Sequence, residues 1–239
     1  MKRYIVYIKS IFLIAFVGFL YGFTSLRNDN RIVKGSVVEF SNGINLFLSH
    51  EMVDKLLKQK RESLGNEVKS LINLHILEKN ILSHPLVEEA KVFLTVDGVL
   101  KTVVKQRTPV LRVQAENEVY YIDDKGFKMP LSGNYSARVM LASGPISAGD
   151  IASVFRLVNA ISGNDFLKKM IVGIEKKSTD TYVLHTRKYR QQIHFGAIRE
   201  VRKKIKKLEA FYNEAIQSNK VATYKVINLK YNNQVVCTK

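Results

Sequence analysis

Cysteine is nearly absent from this sequence, because Cys237 is the single one among 239 residues. A lone cysteine excludes an intrachain disulfide framework and any zinc or iron–sulfur site that needs several thiolates. The lack of disulfides does not assign a compartment, since many exported proteins have none. Internal repeats and low-complexity tracts are also missing, so the length indicates one or two ordinary folded domains.

Signatures of common catalytic and metal sites are missing as well. The five histidines form no His-x-x-x-His or His-Glu-x-x-His pair, and neither a Gly-x-x-x-x-Gly-Lys loop nor a Gly-x-Ser-x-Gly elbow occurs. Asp123-Asp124 is the paired carboxylate to consider for acid–base chemistry, but the Lys125-Gly126 that follows favours a turn. Cys237 is interpreted as a strand or tail residue. We therefore expect no catalytic residue, no metal and no cofactor.

Acidic residues are too few to balance the basic ones, since 21 Asp and Glu face 38 Lys and Arg, for a net charge of +17. This excess indicates an anionic partner such as nucleic acid, lipid headgroups or an acidic protein. The densest cluster lies in an amphipathic segment where only Glu200 opposes it, and it consists of Arg199, Arg202, Lys203, Lys204, Lys206 and Lys207.

Two interpretations of this basic segment stay open. It is either the solvated outer face of a helix or an anion-docking face formed by Arg199, Arg202, Lys203 and Lys206. Nucleic acid is not an expected partner, because the segment lacks the interleaved aromatic side chains of a stacking platform. Export across a membrane, which the N-terminus indicates, would also place the segment away from DNA.

Long apolar runs are limited to one, at residues 4–23, whose length of about 30 Å matches one hydrocarbon thickness. A cleaved signal peptide is the alternative, but no small-x-small cleavage site follows the run. We expect a cytoplasmic tail at 1–3, an uncleaved transmembrane helix at 4–24 and a linker at 25–34. Basic residues flank both sides and barely orient the helix. We expect the long C-terminal part to be exported.

The segment after the linker is predicted to form a small α+β unit over residues 35–107. A strand precedes a helix capped by Ser49, and a polar stretch at 59–66 separates it from a second helix that Pro85 closes. An alternating hairpin follows, with its turn at Asp97-Gly98. The order strand–helix–helix–strand–strand predicts helices packed on one sheet face.

Short strands dominate residues 108–239, which we predict to form a mixed β domain with two helices. The first helix follows Ser147 and ends at Gly163. The second spans 197–217 and carries the basic cluster. The chain closes in an alternating strand at 223–236, expected at or near a sheet edge and open to strand addition. The predicted fold class is therefore α+β.

Taken in order, these features resemble the FtsQ/DivIB family of bacterial cell-division proteins over nearly the whole chain. Five features carry the resemblance. The first three are the lone anchor, a helix–His84-Pro85–strand segment at 77–92, and a return strand that ends in Gln106-Arg107-Thr108-Pro109. The other two are a hairpin at 120–131 around Tyr121-Ile122-Asp123-Asp124-Lys125-Gly126 and a strand–helix–strand from His194 to Tyr231. Gln106 stands where the family often has an acidic residue, Asn228 where it often has Asp, and Lys230 where it has Arg.

The resemblance implies a membrane-proximal POTRA domain, here 35–107, followed by a β domain, here 108–239. It implies a non-enzymatic scaffold of the divisome in the cell inner membrane at the division septum, with a cytoplasmic N-terminus and periplasmic domains. The implied partners are two small bitopic proteins, FtsB-like and FtsL-like, together with other septal proteins. Two rivals stay open: a membrane-anchored envelope hydrolase using Asp123 and a histidine, and a POTRA-containing assembly or secretion factor.

The resemblance and the expected sheet edge place partner binding in the same terminal segment. We expect Lys230, Tyr231, Asn232 and Asn233 to contact the partner. Tyr231 is predicted to be an aromatic anchor and Lys230 the contact to a partner carboxylate. The alternative is that Tyr231 packs inward on the core of the β domain.

Overall fold

The computed structural model describes residues 2–29, 32–43, 45–58, 72–232 and 234–239. Its first element is the helix α1 (Lys2–Asp29), which begins in the predicted tail and includes residues 25–29 of the predicted linker. The stretch Lys9–Asn28 is long and apolar enough to cross a membrane, and no other helix in the described ranges meets that test. By internal contacts the chain forms two units, Met1–Gln106 and Arg107–Lys239.

The first unit has the predicted order of strand, helix, helix, strand and strand. Its elements after α1 are β1 (Gly35–Phe40), α2 (His50–Lys58), α3 (Leu74–Leu82), β2 (Val87–Leu94) and β3 (Val99–Gln106). The sheet order is β1-β3-β2, with β1 parallel and β2 antiparallel to β3. The helices cover one sheet face and bury Val53, Leu57, Leu77 and Ile81 with Leu100 and Val104.

Local signals explain these elements. The Ser49 hydroxyl accepts a hydrogen bond of 3.2 Å from the Met52 amide, which confirms the predicted cap of α2. The side chain of Asn73 caps α3 in the same way, and this cap was not predicted. Gly98 has φ +84° at the β2–β3 turn, a backbone conformation that favours glycine. The predicted polar stretch at 59–66 lies outside the described residues.

The second unit is a mixed nine-stranded sheet with helices on one face. Its strands are β4 (Pro109–Gln114), β5 (Val119–Asp123), β6 (Lys128–Met129), β7 (Met140–Ser143), β8 (Ile171–Ser178), β9 (Thr181–Thr186), β10 (Gln192–Gly196), β11 (Val226–Asn228) and β12 (Val236–Thr238). Their order is β12-β11-β10-β9-β8-β7-β4-β5-β6. The helices are α4 (Ala148–Ser162), α5 (Asp165–Met170) and α6 (Val201–Gln217). The predicted α+β class is confirmed.

One continuous core lies between this sheet and its helices. The sheet side is built from alternate strand residues, among them Leu111, Val113, Leu184, Ile193 and Phe195, and the helix side from Val154, Leu157, Val158, Ile161, Ile205, Leu208 and Tyr212. The short helix α5 was not predicted, because six residues are too few to show a helical period. Asn164 caps the start of α5, because its side-chain oxygen accepts a hydrogen bond from the Leu167 amide at 3.0 Å.

Two boundary predictions near the C-terminus are wrong. The helix predicted from Ala197 begins at Val201, because Glu200 has φ +49° and this left-handed residue interrupts the helical path. The strand predicted at 223–236 is two short strands, β11 and β12, joined by a bend. The outermost strand at the C-terminal end of the sheet is therefore β12, and β11 lies inside it.

Candidate partner-binding surface

The C-terminal strands form one end of the nine-stranded sheet. Strand β10 pairs in parallel with β11 through the crossover helix α6, and β12 folds back antiparallel on β11. His194, Asn228 and Val236 are neighbours across these three strands. Since β12 is last in the strand order, no strand in the described ranges pairs with its outer side. We call β12 together with residues 229–232 the terminal edge.

Lys207 of α6 holds the bend of the terminal edge in place. Its ammonium Nζ donates to the carbonyl of Tyr231 at 2.6 Å, of Asn232 at 3.3 Å and of Leu229 at 3.5 Å. Leu229 is fully buried in the core. The bend is therefore held by the packing of Leu229 and by the hydrogen bonds from Lys207. Asn228 adds a local turn, because its side-chain oxygen accepts from the Lys230 amide at 3.0 Å.

Lys230 runs across the end of β10 before it reaches solvent. A Cβ placed on Gly196 would lie 3.1 Å from Cγ of Lys230, so the glycine leaves room for the lysine stem, and its φ of +70° also favours glycine. The charge of Lys230 also acts on His194, which lies in β10. Burial, reinforced by the Lys230 and Lys177 ammonium groups, lowers the pKa of His194.

The other predicted contact residues lie in the bend between β11 and β12 rather than in a strand. The side chain of Tyr231 is 50% exposed and does not pack into the core. Asn232 is also exposed. Asn233 lies outside the described residues. The bend therefore presents Lys230, Tyr231 and Asn232 to solvent beside the outermost strand.

The basic cluster divides into two groups. Lys204 and Lys207 both bind main-chain carbonyls. Lys204 Nζ donates at 2.8 Å to the carbonyl of Phe195 and at 2.8 Å to that of Ala197. The same ammonium lies 4.7 Å from the ring centre of Phe195. Burial and then the neighbouring charge of Lys207 lower the pKa of Lys204. The four residues predicted to form an anion-docking face are exposed: Arg199, Arg202, Lys203 and Lys206.

These four exposed residues do not all lie on the helix. Arg199 precedes α6 and forms an ion pair of 3.1 Å with Asp180, and Lys203 forms one of 3.7 Å with Glu200. Both pairs are solvent-exposed, where such contacts contribute little to stability. Their cations therefore stay available for exchange with a partner carboxylate.

The structure brings part of the basic cluster and part of the terminal edge together. Arg199, Lys204, Lys230, Asn232 and Asp180 line one open depression of about 340 Å³. Glu200 also lines it, so its three cationic side chains face two carboxylates. Arg202, Lys203 and Lys206 do not line it. The arrangement can bind an extended acidic segment by hydrogen bonds and charge, without a catalytic step.

Strand β12 supplies the outer boundary of this surface. Val236 is 41% exposed, whereas Cys237 is partly buried against the core. Burial raises the pKa of the Cys237 thiol, so the thiolate is disfavoured. The predicted assignment of Cys237 as a strand residue is confirmed.

Asp123, the carboxylate weighed for catalysis, has a structural environment. It is fully buried and accepts from the amides of Lys125 at 3.0 Å and Phe127 at 2.7 Å, which confirms the predicted turn. Its other oxygen pairs with Arg107 Nη1 at 2.7 Å. In the part of the chain that the structure describes, no group of three His, Cys, Asp or Glu residues could hold a metal ion.

Sequence reasoning missed the residues that shape the terminal edge. Lys207 binds main-chain carbonyls 22 to 25 residues further along the chain, and Lys204 binds two carbonyls that precede α6. Neither set of contacts leaves a spacing pattern in the sequence. Asp180 and Gly196 reach the depression through the β9–β10 pairing. The Asn228 turn was readable in principle, since asparagine often accepts from the amide two residues on.

Comparison with known families matches both units. Residues 108–238 match the family described as FtsQ/DivIB, C-terminal related, and residues 40–105 match the POTRA-like domain. The chain belongs to the FtsQ/DivIB family. The resemblance found in the sequence is thus confirmed, and membership in the FtsQ/DivIB family indicates a cell-division protein that works through protein–protein interactions. No curated protein is significantly similar to the chain.

Proposed function

We propose that this chain is a non-enzymatic scaffold of the divisome, held in the inner membrane by α1. Its exported units recruit septal proteins, among them FtsB-like and FtsL-like bitopic partners. Family membership supports the division role, and the apolar stretch Lys9–Asn28 supports the anchor. The environment of Asp123, with Arg107 and two amides as partners, supports a structural use of that carboxylate.

The terminal edge is the proposed docking site, and the outermost position of β12 is the observation that carries it. An unpaired strand edge offers main-chain groups to an incoming strand, and alternate side chains then give selectivity. Tyr231 supplies an exposed aromatic group next to that edge. The excess of cations in the depression beside it favours a partner strand that carries carboxylates.

The anchor is proposed to place the N-terminus in the cytoplasm and both units in the periplasm. Protease added to spheroplasts should then digest everything after α1. Full protection of the large C-terminal part would contradict this topology and the septal role that depends on it.

Binding of the FtsB-like partner tests the docking site. We expect Tyr231→Ala to weaken it by about 2 kcal/mol, close to thirty-fold, because a truncated aromatic anchor loses its buried contact. Lys230→Glu should cost less, since exposed ion pairs contribute less. Lys169→Glu on α5 makes the same charge change elsewhere on the surface and should bind like the wild type.

Thermal melts of the same variants serve as the folding control. Both Lys230 and Tyr231 are exposed, so their variants should melt close to the wild type. Unchanged affinity in the two well-folded variants would remove the terminal edge from the interface.

A further inference from the structure

The chain enters the first sheet at the β2–β3 turn. The Lys34 amide donates to the carbonyl of Gly98 at 2.9 Å, and Gly35 pairs with Val99 at the start of β3. A Cβ on Gly98 would lie 3.1 Å from the carbonyl oxygen of Ile32. Residues 32–34 and the turn 95–98 therefore lie side by side, and we call them the proximal end of the sheet.

The short connection to α1 limits how far this end can be from a membrane. Ile32 follows Asn28, the last residue of the apolar stretch, by four residues. Even fully extended, four residues span at most about 14 Å. Each headgroup layer is roughly 5–8 Å thick. Because Asp29 is still helical and shortens the connection, the proximal end lies within about 14 Å of the end of the apolar stretch, which is within reach of the headgroup layer.

Two apolar side chains project from the proximal end. Val96 is 81% exposed, the highest value among the large apolar side chains described, and Ile32 is 52% exposed. Lys34 is exposed beside them. Apolar groups next to an ammonium suit a headgroup layer, which combines acyl boundary and phosphate within a few ångströms.

The open face of the sheet, opposite α2 and α3, has a matching polarity gradient. Behind the first row of Gly35 and Val99, the second row from the proximal end contains the exposed Val37 and Phe93 on either side of Lys101. At the far end of the strands, Lys105 forms ion pairs with Glu88 at 2.9 Å and Glu89 at 3.4 Å. Apolar exposure is thus concentrated where the membrane connection arrives.

We propose that the proximal end contacts the lipid surface, with Val96 and Ile32 between the headgroups and Lys34 at the phosphates. This inference rests on the proposed membrane anchor. The contact holds the POTRA-like unit against the bilayer in addition to the covalent connection, and it leaves the rest of the exported chain free to meet partners.

Fluorescence quenching in vesicles tests the contact on the full chain. In a Cys237→Ser background, Val96→Cys and Ile32→Cys carry an environment-sensitive dye in vesicles of phosphatidylethanolamine and phosphatidylglycerol. Glu89→Cys, exposed on the same sheet at its far end, is the matched control. We expect blue-shifted emission and strong quenching by headgroup spin-labelled lipid at 96 and 32, and unshifted, weakly quenched emission at 89.

Flotation of the same samples separates the two claims. Protein that floats with the vesicles after alkaline carbonate but shows equal quenching at 96, 32 and 89 would overturn the lipid contact and leave the anchor intact. Protein that does not float would overturn both the anchor and the contact that depends on it.

Discussion

At the scale of single residues, Asp123 shows how a buried charge is accommodated. Its carboxylate accepts two amides of the β5–β6 turn and pairs with Arg107, whose guanidinium also lies 5.1 Å from the ring centre of Phe127. The carboxylate thus has a partner for each oxygen, as a buried charge requires. The contact fixes the first residue of the second unit to its sheet.

Substitution of Asp123 tests this structural role. Asp123→Ala should destabilise the second unit by about 3–5 kcal/mol, because Arg107 and two amides lose their acceptor together. Asp123→Asn keeps one oxygen for the turn and should cost less. The exposed neighbour provides the control, since Asp124→Ala should change stability by less than about 0.5 kcal/mol. Denaturant unfolding measures all three, and equal stability of the two alanine variants would contradict the account.

At the scale of elements, the terminal edge depends on α6. Three carbonyls of the bend converge on the single ammonium of Lys207, while the preceding lysine of the helix, Lys206, is exposed to solvent. Helix and bend are therefore coupled by one side chain. The coupling holds the main chain that carries Tyr231.

The variant Lys207→Met keeps the apolar stem and removes the three donors. We expect faster hydrogen exchange in residues 229–235 and weaker binding of the FtsB-like partner, because the bend loses its fixed geometry. Lys206→Met removes the same charge without touching the bend and should leave exchange there unchanged. Identical exchange in the two variants would show that Lys207 does not hold the bend.

Asp150, at the start of α4, has a strongly depressed pKa. Partial burial acts to raise the pKa of Asp150. Hydrogen bonds from Lys176, from Ser147 and from the Tyr182 hydroxyl outweigh it and hold that pKa far below its ordinary value. The ionised carboxylate therefore stabilises the folded state at neutral pH and joins α4 to β8 and β9.

A depressed pKa fixes the sign of the pH dependence. The stabilisation is complete above the unfolded pKa of about 4 and is lost as pH falls below it. Asp150→Asn should therefore lower stability by about 2 kcal/mol at pH 7. The difference in unfolding free energy between Asp150→Asn and the wild type should narrow steadily between pH 4 and pH 2. Denaturant midpoints at several pH values measure the gap, and a constant gap would refute the assignment.

Local patterns predicted most elements, and long-range contacts explain the failures. The apolar period of α4 and the alternation of β2 and β3 are properties of neighbouring residues, so they were readable. The start of α6 was not, because a left-handed Glu200 and the carbonyls taken by Lys204 decide it. The split of the last strand follows from Lys207, 22 residues before Leu229 in the chain.

At the scale of the whole molecule, two units with separate cores share one chain. Arg107 is assigned to the second unit, and its ion pair with Asp123 lies entirely within that unit. The sequence placed the boundary one residue later, at 107/108. Fragments that begin with and without Arg107 therefore test both whether the second unit folds alone and what the ion pair contributes to its stability.

We predict that the fragments 107–239 and 108–239 both fold when expressed alone. The longer fragment should unfold at higher denaturant concentration, because the shorter one leaves Asp123 buried without its guanidinium partner. Amide NMR dispersion reports folding, and urea titration reports the difference. Random-coil spectra from both fragments would show that the second unit depends on the first.

The central claim is that division partners dock on the terminal edge, and photo-crosslinking in intact membranes tests it most directly. A benzophenone amino acid replaces Tyr231 or Val236 in the full chain, and Phe127, exposed near the opposite edge strand β6, is the control. The account predicts that positions 231 and 236 crosslink to the FtsB-like protein, identified by mass spectrometry, and that position 127 does not. Crosslinking of that protein at 127 but at neither 231 nor 236 would contradict it.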